Sequence, residues 1–435
     1  MTVQNRTPIR TPIDEGKTKI ICAIDERPRW AEVVSKDDLT AGNGEKHDVL
    51  EGKGQLNNTT AVNIFTLLAH DATTPLAFQS SYSQDSFIAM RCKMLPLEVV
   101  ARRRAFGSYC KRNPHVPEST VFPRLVLEFF LKTKGKRWGE LELPKDDPYM
   151  DISPDGMMNL YQPDKPPGTA WCTGEYTLPE NVTMKHIQTI SRITPHVFRI
   201  LEQAFRIADG SELIDFKLEF GINANNELCL ADVITADEIR LMKNGQHESK
   251  EAYRRGGQLD LVKKIYERVA DSTSRFVMFP PQQEIILWRG SDKDPVEPFM
   301  KALGDIGAIP GLRPCIHVVC SMHKEPIRGA IELALITQEN PNAVVVALIG
   351  RSNGAGPTLS ALTHLNVITV PVGWDKFPED VWSSLRTPSN VPVTTCLTPE
   401  NAALHAMQIL ARSNPFIYAR LRAQLEERLK NVIEI

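Results

Sequence analysis

The stretch whose spacing holds the most chemistry is LIDFKLEFG, residues 213–221. Asp215, Lys217 and Glu219 alternate there with Ile214, Phe216, Leu218 and Phe220. On a strand of period two, the charged trio shares one face and the apolar set the other. The plain alternative is an amphipathic strand with a solvated face. The turn INANNE, 222–227, brings Asn225 and Asn226, which tolerate positive φ, so a hairpin should follow. Its return strand LCLADVI, 228–234, is apolar except for Asp232. A lone carboxylate in a buried run needs a partner, and a cation supplies one. Glu219 and Asp232 meeting across this ladder would suit Mg²⁺, which takes one or two carboxylates plus substrate phosphates.

Two basic stretches could serve the same chemistry. In DEGKTKII, 14–21, Lys17 and Lys19 are two apart, so on a strand or strand-turn both ammonium groups face one way, as nucleotide phosphates would need. No GxxxxGK[ST] is present, so this is not a P-loop. In PLEVVARRRAFGSYCKR, 96–112, arginines including Arg102 precede Gly107 and Ser108. Arginine forks clamp phosphate or carboxylate, and a Gly-Ser turn adds N–H groups and a hydroxyl.

Further along, three polar or Gly-rich turns follow apolar runs: GSDKD (290–294), SMHK (321–324) and GRSNGAGP (350–357). His323 is the proton handler among them, because its ordinary pKa lies near neutrality.

These residues need elements to position them. Residues 12 to about 270 mix strand-like and helix-like runs. The stretch 271–284, DSTSRFVMFPPQQE, ends in a Pro pair and polar residues and reads as a linker. From 285 on, the runs IILWR, IHVVC, NAVVVALIG and NVITVPV alternate with helical stretches. Continuous Val/Ile strands separated by helices predict a parallel sheet covered on both faces, a doubly wound α/β domain whose ligands bind at strand ends. The expected organisation is 1–270, linker 271–284, and 285–435 ending in a helix from Asn414. Residues 133–181 show little periodicity and read as a long irregular loop.

Composition narrows the partners. A net charge of −2 gives no global basic field, so neither nucleic acid nor an anionic membrane is an expected partner. No run of about 18 apolar residues predicts a membrane span, and the first 20 residues hold no apolar signal core. The 8 cysteines form no CxxC, which fits a reducing cytoplasm and offers no structural zinc site.

EGKTK, SKDDLTAGN (35–43), LEGKG (50–54), the Met94–Arg112 stretch, DFKLEFG and LADVI resemble, in that order, SAICAR synthetase. The resemblance implies an α+β ATP-binding domain that joins L-aspartate to carboxyaminoimidazole ribotide (CAIR) through an acyl phosphate. It implies ATP contacts from Lys17, Thr18, Lys19, Met94, Glu219 and Asp232, with Mg²⁺ on the last two. Asp215 and Lys217 would face the reacting carboxylate and the aspartate, and Arg102, Ser108 and Arg240 would clamp the ribotide. The run Glu238-Ile239-Arg240-Leu241-Met242 departs from the family, which has a serine and Leu-Trp around that arginine.

The second set of turns, with WSSLR (382–386), resembles phosphoribosylaminoimidazole carboxylase, which animal enzymes fuse behind SAICAR synthetase. This implies addition of CO₂ to aminoimidazole ribotide (AIR) without biotin or ATP, and a homo-octamer. Gly290, Ser291 and Asp294 would hold ribose phosphate. Ser321, His323, Lys324, Arg351 and Ser352 would line the reacting carbon and CO₂. Lys293, Met322 and the run Ser360-Ala361-Leu362-Thr363 depart from the family and could fill that pocket. An inactive second domain serving as assembly core is therefore a rival, as is a non-enzymatic nucleotide-sensing scaffold.

Overall fold

A computed structural model describes residues 11–25, 27–41, 46–133, 137–138, 141–142, 146–167, 176–248, 253 and 258–430. Two compact units result: one runs to Val277 and takes the chain back from Ala423, and the other is Met278–Arg422.

The first unit is built on antiparallel sheets. One has the order Thr11–Glu15, Lys19–Ala23, Trp30–Ser35, Ser86–Met90, Phe78–Ser81. The larger one centres on the strand Glu212–Asn223. It is flanked by Leu97–Arg104 on one side and Ile239–Lys243 on the other, and Leu228–Ala231 and Cys92–Met94 pair with its later half. The expected alternation holds, since Ile214, Phe216, Leu218 and Phe220 are all buried. Asp215 and Glu219 are buried too, so the charged face is covered rather than solvated. The hairpin forms as expected: Asn226 has φ 63, and Asn223 Oδ1 accepts the N–H groups of Asn225 and Glu227 at 2.9 and 3.0 Å.

The helix Met184–Asp209 packs its apolar face on this sheet. Its start is set by Thr183, whose hydroxyl accepts the His186 N–H while the His186 ring accepts the Thr183 N–H. Gly210, at φ 80, ends it. Another helix, Lys53–Leu68, packs on the first sheet and on the helix Leu259–Ser274. Asp37 caps its entry by accepting the N–H groups of Gly52 and Gly54 at 3.1 and 2.7 Å.

Three expectations need correction. The stretch 133–181 is not one irregular loop. Tyr149–Ile152 and Met157–Tyr161 form a hairpin that extends the large sheet, with Gly156 at φ 86 in its turn and Met150, Met158 and Leu160 buried. The start of 271–284 is not a linker, because helix runs to Ser274 and a 3₁₀ turn to Met278. Ser272 and Thr273 look polar but point inward, and the Phe276 ring meets Phe205 edge-on at 5.0 Å. Finally, the helix Pro415–Leu429 does not lie wholly in the second unit, since Ala423 onward belongs to the first.

The second unit is the expected parallel sheet. Its order is Ile316–Val319, Ile285–Arg289, Val344–Ile349, Asn366–Pro371, Thr394–Thr395, all parallel. Numbered along the unit this is 2-1-3-4-5, which places a topological switch point between the first and third strands. The turns after those strands begin at Gly290 and Gly350. No helix among the described residues is long and apolar enough to cross a membrane.

Candidate active sites

In the first unit, Glu219 pairs in register with Ala231, so Asp232 follows just past the rung. Asp232 has φ 63, a conformation that turns the chain out of the strand. Its carboxylate meets the ammonium of Lys19. Glu219 takes two lysines, Lys132 at 2.6 Å and Lys217 at 3.3 Å, and Lys217 also reaches Glu98 at 3.0 Å. Burial opposes ionisation of Glu219, but Lys217, Lys132 and Lys19 outweigh it and hold the carboxyl at about 2. Burial likewise opposes the charge on Lys217, but Glu98 and Glu219 keep it firmly protonated. Burial brings Lys19 down to about 8, with Glu219 and Glu238 pulling the other way. The Asp232 carboxylate against it favours the charged form.

Lys17 is not gathered with these groups. The Gly16 N–H donates to the Lys19 carbonyl at 2.9 Å, which makes a tight turn and breaks the period-two spacing. Lys17 sits exposed on that turn, with Thr18 beside it half-buried. Met94 pairs with Gly221, where an added Cβ would come within 3.1 Å of the Met94 sulfur and 2.6 Å of Cys92 Cβ. That strand can approach only because residue 221 has no side chain.

A second cluster joins the same central strand. The Arg102 fork reaches Glu128 and Asp215, both at 2.5 Å, and donates to the Ser108 hydroxyl at 3.4 Å. Arg240 also bonds Asp215, and Arg112 bonds Glu128. The expected clamp residues Arg102, Ser108 and Arg240 therefore converge, with Asp215 as their internal anion. Glu238 lies nearby: burial, then Asp237 beside it, push its carboxyl up, and Thr235 donates to it at 2.6 Å through its hydroxyl.

Sequence reasoning missed Lys132, Glu98, Glu128, Arg112 and Glu238. Lys132, at the end of the run FFLK, is the one with a visible signal, a cation closing an apolar strand.

The carboxylates fit a hard divalent cation. Among the described residues no group of three or more His, Cys, Asp or Glu gathers, which rules against an all-protein cage there. A buried carboxylate, Glu219, and a half-buried one, Asp232, beside lysines suit Mg²⁺ that also binds phosphate oxygens.

The pairing has a pH signature. Glu219 and Glu426 are both held at about 2, below an ordinary 4.5. The stability they add is fully present above about 4.5 and is lost as pH falls toward about 2. The urea midpoint should fall through that window and lie flat just above it.

In the second unit, Asp294 is buried at the switch point and accepts the Ser291 N–H at 2.9 Å. The Gly290 and Gly350 N–H groups also reach it. A Cβ on Gly350 would stand 2.4 Å from its carboxylate, so the two turns meet only through glycine. His323 lies over Gly354, its Nε2 3.5 Å from where a Cβ would be. The Ser321 carbonyl accepts the N–H groups of Lys324 and Glu325, forming the turn that presents His323 and Lys324. Ser352 has φ 49, and the Arg351 guanidinium lies 5.0 Å from the centre of the Phe377 ring. Asn353, not foreseen, is wholly buried and joins Ser384 at 2.8 Å to Thr369 at 2.9 Å, tying WSSLR to the 350–357 turn.

The departures do not fill this edge. Met322 points into the core beside Cys320 and Leu333, and Gly329 makes room for its sulfur. Lys293 is exposed. Ala361 and Leu362 are exposed at the far end of the helix Ala355–Ala361, away from the Gly350 turn that leads into it.

Comparison with known proteins covers both units. Residues 12–141 and 169–272 match the SAICAR synthetase family, and 284–431 the AIR carboxylase family. The chain is 33% identical over 428 residues to "Multifunctional protein ADE2" of Gallus gallus, covering 95% of this chain and 92% of that one. It is 33% identical over 426 residues to the Homo sapiens "Bifunctional phosphoribosylaminoimidazole carboxylase/phosphoribosylaminoimidazole succinocarboxamide synthetase", covering 94% and 92%. The first part is 34% identical over 274 residues to a Herpetosiphon aurantiacus "Phosphoribosylaminoimidazole-succinocarboxamide synthase", covering 61% of this chain and 98% of that protein. With matches across both units and nearly the full length of such relatives, the chain belongs to the bifunctional AIR carboxylase and SAICAR synthetase enzymes of purine biosynthesis, a ligase and a carboxy-lyase on one polypeptide.

Proposed function

We propose that the ligase reaction runs at the hairpin of the first unit. The observation that carries this is the meeting of Lys19 with Asp232 and of Lys132 and Lys217 with Glu219. The CAIR carboxylate attacks the γ-phosphorus of ATP and ADP leaves. The aspartate amine then attacks the acyl carbon, phosphate leaves, and an amide results. Such transfers need positioning and charge neutralisation more than a covalent nucleophile. Lys19 and Lys132 neutralise phosphate charge, with Lys17 reaching in from the exposed turn and Thr18 and Met94 lining the nucleotide. Glu219 and Asp232 would hold Mg²⁺, which would supply positive charge against the phosphates. Lys217 stays protonated, so it stabilises negative charge on the reacting carboxylate and does not act as a base. Arg102, Arg240 and Ser108 hold the ribotide, with Asp215 keeping the two forks aligned.

The second unit adds CO₂ to AIR at the switch point, using neither biotin nor ATP. Gly290, Ser291 and Asp294 hold the ribose phosphate. His323 moves the proton displaced from the ring carbon, and Ser321, Lys324, Arg351 and Ser352 bind the carboxylate. His323, Lys324, Arg351 and Ser352 are all exposed in one chain, so further subunits would complete the site. Ile327, Ile331 and Leu335, at 76, 58 and 57% exposure along the helix Pro326–Glu339, form an apolar stripe that suits a homo-octamer in the cytoplasm.

His323→Asn tests the division of labour. Carboxylation of AIR in bicarbonate without ATP should fall by about 10²–10⁴-fold. ADP release with CAIR and aspartate should not change. Equal loss of both activities would refute two separate sites.

A further inference from the structure

Of the last described residues, 423–430, the one that packs inward is charged. Glu426 is 4% exposed, whereas Leu425 beside it is 37% exposed. Ala423 and Leu429 are only half-buried, so the fully buried anchor of this turn of helix is a charge. A carboxylate is costly to bury unless it is paired and its remaining lone pairs are bonded, and Glu426 meets both conditions. It takes Arg103 at 2.7 Å, Arg199 at 2.8 Å and the Leu125 N–H at 3.3 Å. With Glu202, which holds Arg103 at 2.7 Å, the set balances two cations against two anions.

Arg199 lies on the helix Met184–Asp209, and the other two partners, Arg103 and Leu125, lie on the two strands that Arg102 and Glu128 join. Arg103 stands next to Arg102 on Leu97–Arg104, so the two side chains point to opposite faces. Leu125 lies within the irregular register between Val121 and Val126, where Val121–Leu131 pairs with that strand. Arg103 also donates to the Phe122 carbonyl in the same segment, at 3.2 Å. Three residues past Leu125, Glu128 holds Arg102. Glu426 thus fixes from one face the strand pair that Arg102 and Glu128 join on the other. The Arg103 guanidinium also lies 5.9 Å from the Phe198 ring centre, and that ring stacks on Phe216, the neighbour of Asp215.

We propose that Glu426 is a positioning residue of the ligase site, holding Arg103 and the irregular Val121–Val126 segment so that Glu128 sets the Arg102 fork; this rests on the reading of Arg102 as ribotide clamp. The chain thereby uses a residue 323 positions from Arg103 to complete the synthase unit.

Glu426→Gln in the full chain tests it, because the size is kept and the charge removed. KM for CAIR should rise on the order of tenfold, less than the ~10²-fold that a 1 Å misplacement costs. KM for ATP and the AIR carboxylation rate should stay as they are. Glu426→Asp should recover part of the loss, and Leu425→Ala should change nothing. Unchanged KM for CAIR in Glu426→Gln, or a joint rise in the KM values of CAIR and ATP, overturns the proposal. Arg102→Lys, run in parallel, separates the two claims. If it leaves KM for CAIR alone, the clamp reading fails. If it raises that KM while Glu426→Gln does not, the positioning role alone fails.

Discussion

Asp232→Asn should slow the ligase reaction by about 10²–10³-fold, the usual cost of losing one fixed electrostatic group at a transition state, and leave AIR carboxylation untouched. The substitution is a clean one. Asp232 sits at φ 63, and asparagine tolerates that left-handed conformation about as well as aspartate. The backbone should therefore hold while the charge goes. What is lost is the partner of Lys19, whose ammonium burial already disfavours. Lost with it is one of the two carboxylates available to Mg²⁺. The readout is ADP release at saturating CAIR and aspartate, with carboxylation assayed on the same preparation. A ligase rate within a few fold of the parent would mean that Asp232 serves the hairpin and not the nucleotide.

Arg102→Ala should cost the first unit about 3–5 kcal/mol, because breaking a buried ion pair leaves its partners uncompensated. Here two partners are stranded, Glu128 and Asp215, both buried and both 2.5 Å from the guanidinium. Arg112 still holds Glu128 and Arg240 still holds Asp215, which limits the damage. The urea midpoint reports the stability loss, and KM for CAIR reports the loss of the proposed clamp. Arg102→Lys keeps a charge but not the fork, so it should recover stability more than CAIR affinity. Equal recovery of both would show that Arg102 needs only to be a cation.

The parts of this architecture that local chemistry dictates were legible in the sequence. Period-two alternation gave the strand Glu212–Asn223, and Asn225-Asn226 gave its hairpin. Val-rich runs ending in glycine gave the parallel sheet and the strand-end turns around Asp294 and His323. What stayed hidden depends on register between distant strands. Lys132 reaches Glu219 from 87 residues away, and Glu98 reaches Lys217 from 119. Nothing in either local stretch announces the other. Of the strand or strand-turn that the spacing of Lys17 and Lys19 allows, a hydrogen bond across Gly16 makes the turn, which leaves Lys17 exposed and apart from Lys19. The helix through Ser274 was missed because Ser272 and Thr273 are polar in type yet buried in place. The return of the chain to the first unit at Ala423 was missed because its anchor, Glu426, is a charge where an apolar residue would be sought.

If the acids at the hairpin grip a metal only when nucleotide is present, electron paramagnetic resonance of Mn²⁺, substituted for Mg²⁺, reads that grip without any turnover. The parent protein should bind Mn²⁺ tightly in the presence of ATP and weakly in its absence, and the Glu219→Gln, Asp232→Asn double variant should lose the nucleotide-dependent signal. Undiminished ATP-dependent Mn²⁺ binding in the double variant would place the metal, and with it the ligase chemistry, somewhere other than on these two carboxylates.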